Sequence, residues 1–153
     1  MIEIRSATAA DLPAVRTLLE AYVAWLDVDL SFQDLHDEFR DLPGDYVPPR
    51  GRLLAASVSG RVCAMTALRP IDETNCEMKR LYVSPDARGL GLGRALVLRI
   101  LDEARAIGYR EIRLDTLPQM GDAQALYVGL GFRDIEPYYK TPILGTRFME
   151  MDL

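Results

Sequence analysis

One stretch of the chain, RLYVSPDARGLGLGRALVLRI from Arg80 to Ile100, changes its character twice. It begins with the apolar pattern of a strand, passes through a loop that contains Gly89, Gly91 and Gly93, and continues with helical periodicity. Glycine is the poorest ordinary helix former, so its repeated use at the start of a helix requires a reason. A helix N-terminus exposes unpaired N–H groups, and glycine lets an anion approach them closely. The stretch therefore predicts a phosphate-binding turn between a strand and a helix.

Two common phosphate-binding motifs do not match this loop. The nucleoside-triphosphate loop requires GxxxxGK[ST], but here Gly93 is followed by Arg94. The dinucleotide fingerprint is GxGxxG close behind a first strand, whereas this loop reads GxGxG and lies in the middle of the chain. The remaining pattern is R-x-x-G-x-G, in which Arg88 and Arg94 flank the glycines and add charge-assisted donors.

Hydrophobic periodicity predicts the element order β–α–α–β–β–β–α–β–α–β–β. Ser31 and Asp34 are typical of the cap of a short second helix near Phe32 to Phe39. Ser59-Gly60 predicts a hairpin turn in the middle of the chain. The segments FRDIEPYY and TRFMEMDL predict the last two strands. Strands on both sides of helices, with a central hairpin, indicate an α/β fold with a mixed, mostly antiparallel central sheet flanked by helices.

Length and composition predict one soluble domain over residues 1–153. No apolar run approaches the ~20 residues that span a membrane, and the N-terminus lacks a signal-peptide pattern, so we expect a cytoplasmic protein without a membrane partner. Cys63 and Cys76 form no CxxC motif and are expected to be reduced thiols. His36 is the only histidine, which argues against a histidine metal site and against Ser–His or Cys–His catalysis, so we expect no metal.

The formal net charge of −5 argues against a nucleic-acid partner, because nucleic-acid binders usually carry a basic face. Acidic residues are concentrated in the segment from Asp27 to Asp45, where Arg40 is the only basic residue apart from His36. Two interpretations remain open. The segment is either a solvated helix face or the source of a field that attracts a cationic substrate.

Taken together, these motifs give the chain a clear resemblance to the GNAT superfamily of N-acetyltransferases. RLYVSPDARGLGLGRAL is similar to the family's acyl-CoA pyrophosphate loop with its preceding strand, and ALYVGLGF is similar to the family's last helix and following strand. The resemblance covers nearly the whole chain in element order. It implies a GNAT-like acyl-CoA N-acyltransferase fold, acetyl-CoA as co-substrate, and acetyl transfer to a primary amine of a small molecule by direct attack on the thioester.

The resemblance also assigns cofactor-binding residues. Backbone N–H groups of the glycine-rich loop would hold the pyrophosphate, and the strand before it would pair with the pantetheine amides. That strand is usually splayed in the family, which leaves a backbone donor for the thioester oxygen. The chain lacks the family's asparagine after the next strand, and Thr116 or Asp122 could replace it. The expected cofactor-binding residues are Leu81, Tyr82, Val83, Arg88, Gly89, Leu90, Gly91, Leu92, Gly93, Arg94 and Thr116.

Two residues match catalytic positions of the family. Tyr127 corresponds to the tyrosine near the CoA sulfur, where it would act as general acid; the alternative is an aromatic residue that only packs on the last helix. Glu77 lies where family members often carry a glutamate base; the alternative is a surface glutamate paired with Lys79 or Arg80.

In the family, the acceptor enters between the first two helices and the last strands. The candidates to line that pocket are Tyr22, Trp25, Phe32 and Gln33 on one wall, with Tyr138 and Tyr139 on the other. These aromatics could surround an apolar or cationic group, or simply pack. The acidic segment would suit a polyamine, an aminoglycoside or a lysine-like amine.

Other functions and an assembly also remain open. The chain could be a non-catalytic acyl-CoA sensor or a peptide or protein N-acetyltransferase. A homodimer is possible through edge strands, since the alternation in FMEMDL permits such pairing.

Overall fold

Seven strands form one continuous sheet in the computed structural model of the chain, which describes residues 1–27, 29 and 35–153. The strands are β1 (Ile2–Ser6), β2 (Arg52–Val58), β3 (Arg61–Pro70), β4 (Asn75–Val83), β5 (Glu111–Thr116), β6 (Arg133–Ile135) and β7 (Arg147–Asp152). The helices are α1 (Leu12–Leu26), α2 (Leu35–Asp41), α3 (Leu92–Ile107) and α4 (Gly121–Leu130). Within these described ranges, no helix is both long and apolar enough to cross a membrane.

The sheet is mixed and mostly antiparallel, as the sequence predicted. Its spatial order is β1-β2-β3-β4-β5-β7-β6, and only the β4–β5 pair is parallel. The predicted hairpin between β2 and β3 is confirmed: Val58 pairs with Arg61, while Ser59 and Gly60 have φ angles of 51° and 85°. Such left-handed dihedrals are those of a two-residue hairpin turn that follows the twist of its strands.

Helices cover both faces of the sheet, so there are two hydrophobic cores. On one face, α3 and α4 bury a stripe that includes Leu96, Ile100 and Ala104. On the other face, α1 packs Val15 and Leu19 against β2, β3 and β4. Cys63 and Cys76 are buried free thiols in the first of these cores, as expected for reduced cysteines.

One predicted element differs from the structure, and part of another lies outside the described residues. Helix α2 begins at Leu35, and its expected cap at Ser31 and Asp34 lies outside the described residues. The strand expected over FRDIEPYY is much shorter, because only Arg133–Ile135 pairs with β7. Pro137 has no N–H group to donate to a ladder, and the chain then leaves the sheet.

The segment FMEMDL is not a free edge of the sheet. It belongs to β7, which lies between β5 and β6. Its residues Phe148, Met149 and Glu150 pair with β6 on one side and with β5 on the other. A homodimer stays a prediction, but pairing through these three residues would first require the removal of β6.

Candidate active site

A cleft opens where the two parallel strands part. Strands β4 and β5 pair only through Asn75–Glu77 and Glu111–Arg113. Beyond Glu77 their ladders separate, and the space between them is a cleft of 590 Å³. Residues Met78 to Val83 line one wall, and Leu114 and Asp115 line the other. Backbone groups of a strand that has lost its neighbour can bind an extended ligand in place of the missing strand.

A bulge in β4 shapes this wall of the cleft. Met65 pairs with Tyr82 and Ala67 with Lys79, so Thr66 alone faces two residues of β4. Arg80 takes up the extra residue with a φ angle of 62°, which is uncommon outside glycine. Because the bulge interrupts the alternation of the strand, Lys79 and Arg80 both face α1 and α2.

The Arg80 side chain is buried and bound to α2. Its Nε and Nη2 atoms lie 2.9 Å and 3.1 Å from the two carboxylate oxygens of Glu38. The Tyr46 hydroxyl donates to the same carboxylate at 2.8 Å. Only 5% of the Arg80 side chain and 13% of the Glu38 side chain are exposed. This ion pair fixes α2, and hence one side of the acceptor region, to the bulged strand.

Replacement of Glu38 by alanine is expected to lower the free energy of unfolding by about 3 kcal/mol, because removal of one partner leaves buried charge uncompensated. The neighbouring Asp37→Ala variant is the control. Asp37 pairs with Arg40 at the surface of the same helix, and loss of an exposed pair costs less than about 1 kcal/mol. Urea denaturation of both variants measures the difference, and equal costs would contradict the structural role given to Glu38.

The glycine-rich loop leaves open space in front of α3. Gly89 and Gly91 have φ angles of 86° and 78°, and a Cβ atom at either position would meet no heavy atom within 4 Å. The N–H group of Ala95 bonds to the Gly91 oxygen at 3.1 Å, so the preceding N–H groups of the first turn have no intrahelical acceptor. These features fit a pyrophosphate at the helix N-terminus. The loop residues Leu90, Leu92 and Arg94 belong to the same turn.

Arg88 extends from this loop across the mouth of the cleft. Its Nε donates to the Val83 oxygen at 3.2 Å. Its guanidinium carbon lies 5.8 Å from the ring centroids of both Trp25 and Tyr82. Arg88, Gly93 and the residues Leu81, Tyr82 and Val83 all line the cleft, so the structure brings together the strand and the loop that the sequence singled out.

Tyr127 lies in the cleft, near its buried end. It projects from α4, is 4% exposed, and packs against Phe132 with 5.6 Å between ring centroids. Among the described residues its hydroxyl has no hydrogen-bond partner. Burial raises the pKa of Tyr127, so the hydroxyl keeps its proton. An unpaired protonated hydroxyl in a cleft is available as a donor to a ligand.

Glu77 lies just outside the cleft, where β4 and β5 are still paired. It is 2% exposed, so the alternative of a surface glutamate is wrong. Its carboxylate accepts a hydrogen bond from Arg69 Nε at 2.9 Å and another from the Tyr138 hydroxyl at 2.6 Å. Both oxygens are therefore occupied, and Glu77 does not line the cleft.

Three charged residues that sequence reasoning did not select line the cleft: Arg80, described above, and also Asp115 and Lys79. Asp115 stands on β5 and accepts a hydrogen bond from the Tyr139 hydroxyl. Lys79 stands on β4 and is 6% exposed. Burial lowers the pKa of Lys79, while the Asp115 and Glu77 carboxylates act in the opposite direction. Strand alternation was the available signal, because Lys79 and Asp115 both lie opposite the apolar face of their strands.

Thr116 and Asp122 are the two expected substitutes for the missing asparagine. Among the described residues, neither forms a hydrogen bond with a polar side chain of the cleft. Thr116 is buried outside the cleft, and its hydroxyl lies 3.4 Å from the Met120 sulfur. Asp122, at the start of α4, does line the cleft. Of the two residues, Asp122 is therefore the one placed to reach a ligand there.

Comparison with known proteins identifies the fold and the family. The model of the Acetyltransferase (GNAT) family matches residues 16–132, which is most of the chain. This chain belongs to the GNAT acetyltransferase family. The match includes the splayed strand, the glycine-rich loop and Tyr127. Family membership confirms the enzyme class inferred from the sequence, an acetyl-CoA-dependent N-acetyltransferase.

One relative in sequence agrees with this assignment, and two solved structures share the fold. An uncharacterized N-acetyltransferase of Schizosaccharomyces pombe is 37% identical over 145 residues, with 94% of this chain and 89% of that protein covered. The structure of yncA, described as a putative acetyltransferase from Salmonella typhimurium with its cofactor acetyl-CoA, is 24% identical with a TM-score of 0.70, covering 99% and 93% of the two chains. The ribosomal-protein-S18-alanine N-acetyltransferase of Escherichia coli is 22% identical with a TM-score of 0.75, covering 99% and 94%.

The acceptor side of this GNAT cleft contains some of the expected aromatics. Tyr22 and Trp25 line it from α1, and Tyr22 packs edge-on against Tyr82. Tyr138 and Tyr139 do not line the cleft: they pack against Phe148, and their hydroxyls bind Glu77 and Asp115. They support these charged residues, and their role as a wall of the acceptor pocket stays a prediction. The candidates Phe32 and Gln33 lie outside the described residues.

The acidic segment contributes less negative potential to the cleft than its composition suggests. Glu38 is neutralised by Arg80, and Asp37 and Asp41 both pair with Arg40. Paired charges of opposite sign give only a weak field at a distance. The preference for a cationic acceptor stays a prediction, without the contribution of Glu38.

Proposed function

We propose that the protein transfers the acetyl group of acetyl-CoA to a primary amine of a small molecule. The observation that carries this proposal is a bridge over the acceptor end of the cleft. Gln119 Nε2, in the loop after β5, donates to the Leu26 oxygen at the end of α1 at 2.9 Å. The two walls are thus joined above an interior lined by Tyr22 and Leu117. A small amine fits beneath such a bridge, whereas a folded protein substrate would require it to open.

The chemistry requires a neutral amine, an oxyanion donor and a stabilised leaving group. The amine lone pair attacks the thioester carbon, the C–N bond forms, the C–S bond breaks, and CoA leaves as a thiolate. Backbone N–H groups of the splayed segment from Met78 to Val83 are the candidates to bind the oxyanion. As the C–N bond forms, the nitrogen becomes acidic and must release its proton to a base within hydrogen-bond reach.

Asp115 is the carboxylate best placed to receive that proton. It lines the cleft, whereas the carboxylate of Glu77 is held by Arg69 and Tyr138 outside it. The Tyr139 hydroxyl orients Asp115 and leaves further lone pairs of the carboxylate for the amine. We therefore assign the base role to Asp115, and Glu77 supports the wall that carries Lys79.

Tyr127 supplies the interaction with the leaving thiolate. A thiol has a reference pKa of ~8.5 and a tyrosine one of ~10. Since burial raises the pKa of Tyr127 further, complete proton transfer to the thiolate is unfavourable. Tyr127 is therefore a hydrogen-bond donor that stabilises the thiolate while it keeps its own proton.

Calorimetric titration with acetyl-CoA, CoA and NAD tests the cofactor site. Arg88→Ala is expected to weaken acetyl-CoA and CoA binding about tenfold, because a hydrogen bond to a charged group contributes ~1.5 kcal/mol or more. Arg105→Ala, in the last turn of α3 and far from the loop, is the control and should bind normally. NAD should not bind. Unchanged CoA affinity in Arg88→Ala would remove Arg88 from the site.

The acceptor class is tested with a panel of amines and acetyl-CoA, with release of free CoA thiol as the readout. The panel contains amino acids, their amides, the parent amines, a polyamine and peptides with free N-termini. Turnover with small amines and none with peptides is the expected result. Turnover with peptides alone would overturn the small-molecule proposal.

A further inference from the structure

Lys79 is a buried cation whose neighbours all have partners while it has none. The chain contains two lysines, Lys79 and Lys140, and only Lys79 is buried. The arginines on either side of it are bound, Arg69 by Glu77 and Arg80 by Glu38. In the part of the chain that the structure describes, no hydrogen bond or ion pair holds the Lys79 amine. The Asp115 and Glu77 carboxylates act on it electrostatically, but neither forms an ion pair with it.

A buried amine of this kind is energetically unfavourable unless a bound ligand supplies a counter-ion and hydrogen bonds. A buried ammonium without a partner loses its hydration and gains little in return, so it tends to lose its proton. An anion that enters the cleft would restore both the charge and the hydrogen bonds of Lys79. The energetic gain would be larger than at the surface, because the cleft excludes most of the competing water.

The pyrophosphate of acetyl-CoA is too far away to be that anion. Lys79 precedes Val83, the end of β4, by four residues, which is about 13 Å of extended strand. The glycine-rich loop lies beyond Val83, at the other end of the cleft. Of the permanently charged groups that the two substrates can bring, one on the acceptor is therefore the candidate to reach Lys79.

We propose that the acceptor is an amine that also carries a carboxylate, and that Lys79 binds this carboxylate. The inference rests on the proposed function and narrows its substrate class. Asp115 lines the same cleft from β5, and no ion pair joins it to Lys79. The two residues thus present opposite charges to the space between the strands. Asp115 faces the amine of the acceptor, and Lys79 faces its carboxylate. The apolar residues Leu26 and Leu117 would contact the remainder of the acceptor.

Matched substrates and a matched variant test this inference. The substrates are an amino acid, its amide and the corresponding decarboxylated amine, all with the same side chain. Wild type is expected to have the lowest KM for the amino acid. Lys79→Met should raise that KM at least tenfold and leave the KM for the amide unchanged. Lys79→Arg should restore part of the preference, and Lys140→Met should behave as wild type.

Separate outcomes distinguish failure of this inference from failure of the proposed function. Equal KM values for the three substrates in wild type, unaffected by Lys79→Met, would overturn the carboxylate site and leave the acetyltransferase proposal intact. No turnover of any small amine would overturn both. A matched amine with a phosphonate in place of the carboxylate shows whether Lys79 requires a carboxylate; a preference for the phosphonate would overturn the substrate class.

Acetylation of Lys79 itself is the competing outcome. A neutral Nζ could attack the thioester, form an amide and release the CoA thiol. Intact-mass analysis after incubation with acetyl-CoA alone would then show one added acetyl group, lost in Lys79→Met. Stoichiometric modification at Lys79 that leaves the KM for the amino acid unchanged would overturn its assignment as a carboxylate-binding residue, because an amide cannot bind an anion as a cation does.

Discussion

Replacement of Asp115 by asparagine is expected to lower kcat/KM for the acceptor amine about 100-fold or more. The substitution keeps the size of the side chain and its contact with the Tyr139 hydroxyl, but it removes the negative charge and the ability to accept a proton. A positioned base contributes roughly this factor to proton-transfer reactions. Steady-state kinetics with saturating acetyl-CoA measures the effect, and calorimetry should show unchanged acetyl-CoA affinity.

Glu77→Gln is the matched variant for this prediction. Glutamine can still bond to Arg69 and Tyr138, although the loss of a buried charge beside Arg69 is expected to reduce stability. If Asp115 is the base, the folded Glu77→Gln enzyme loses much less activity than Asp115→Asn. The reverse order of effects would return the base role to Glu77, where the family resemblance first placed it.

The Tyr127→Phe variant is expected to lower kcat about 10- to 100-fold, which corresponds to the loss of one hydrogen bond to a charged group. The hydroxyl has no partner among the described residues, so its removal leaves no unsatisfied protein group behind. The melting temperature should therefore remain unchanged or rise slightly, and the KM for acetyl-CoA should change little. Kinetics and thermal denaturation of the same preparation measure both quantities.

Tyr109→Phe is the control, and it is expected to lose stability while it keeps its kcat. Tyr109 lies outside the cleft, and its hydroxyl donates to the Arg50 oxygen at 2.8 Å. Its removal should cost about 1 kcal/mol of stability and leave kcat unchanged. A Tyr127→Phe enzyme that loses stability and keeps its turnover would show that Tyr127 has the structural role instead.

The fold could be predicted from the sequence because its signals are local. The alternation in β2 and β3, the glycines before α3 and the apolar stripe from Leu92 to Ile107 each reflect contacts between close neighbours in the chain. Even the position of Tyr127 followed from the ALYVGLGF motif at the end of α4. The strand predicted over FRDIEPYY includes Tyr138 and Tyr139. That prediction is wrong for the two tyrosines, because it does not take into account that Pro137 cannot donate to a ladder.

The charged part of the site could not be predicted in the same way. Asp115 and Lys79 are far apart in sequence. They line the same cleft only because β4 and β5 separate after Glu77. The bulge that places Arg80 on the same face of β4 as Lys79 depends on a left-handed φ angle at Arg80, and no residue preference indicates such a conformation. The ion pair between Arg80 and Glu38 also explains why a count of acidic residues overestimated the negative charge available to a substrate.

The stacking of Arg88 on Trp25 has a practical consequence. Trp25 is the only tryptophan of the chain, it is 44% exposed, and it lines the cleft beside the arginine that borders the phosphate loop. Indole emission depends on the charge and water around the ring, and both change when a ligand fills the space or draws the guanidinium away. The protein therefore contains an intrinsic optical reporter in the cleft, beside the glycine-rich loop. Binding order and rates can be followed by stopped-flow fluorescence on the unmodified protein, before the acceptor is known.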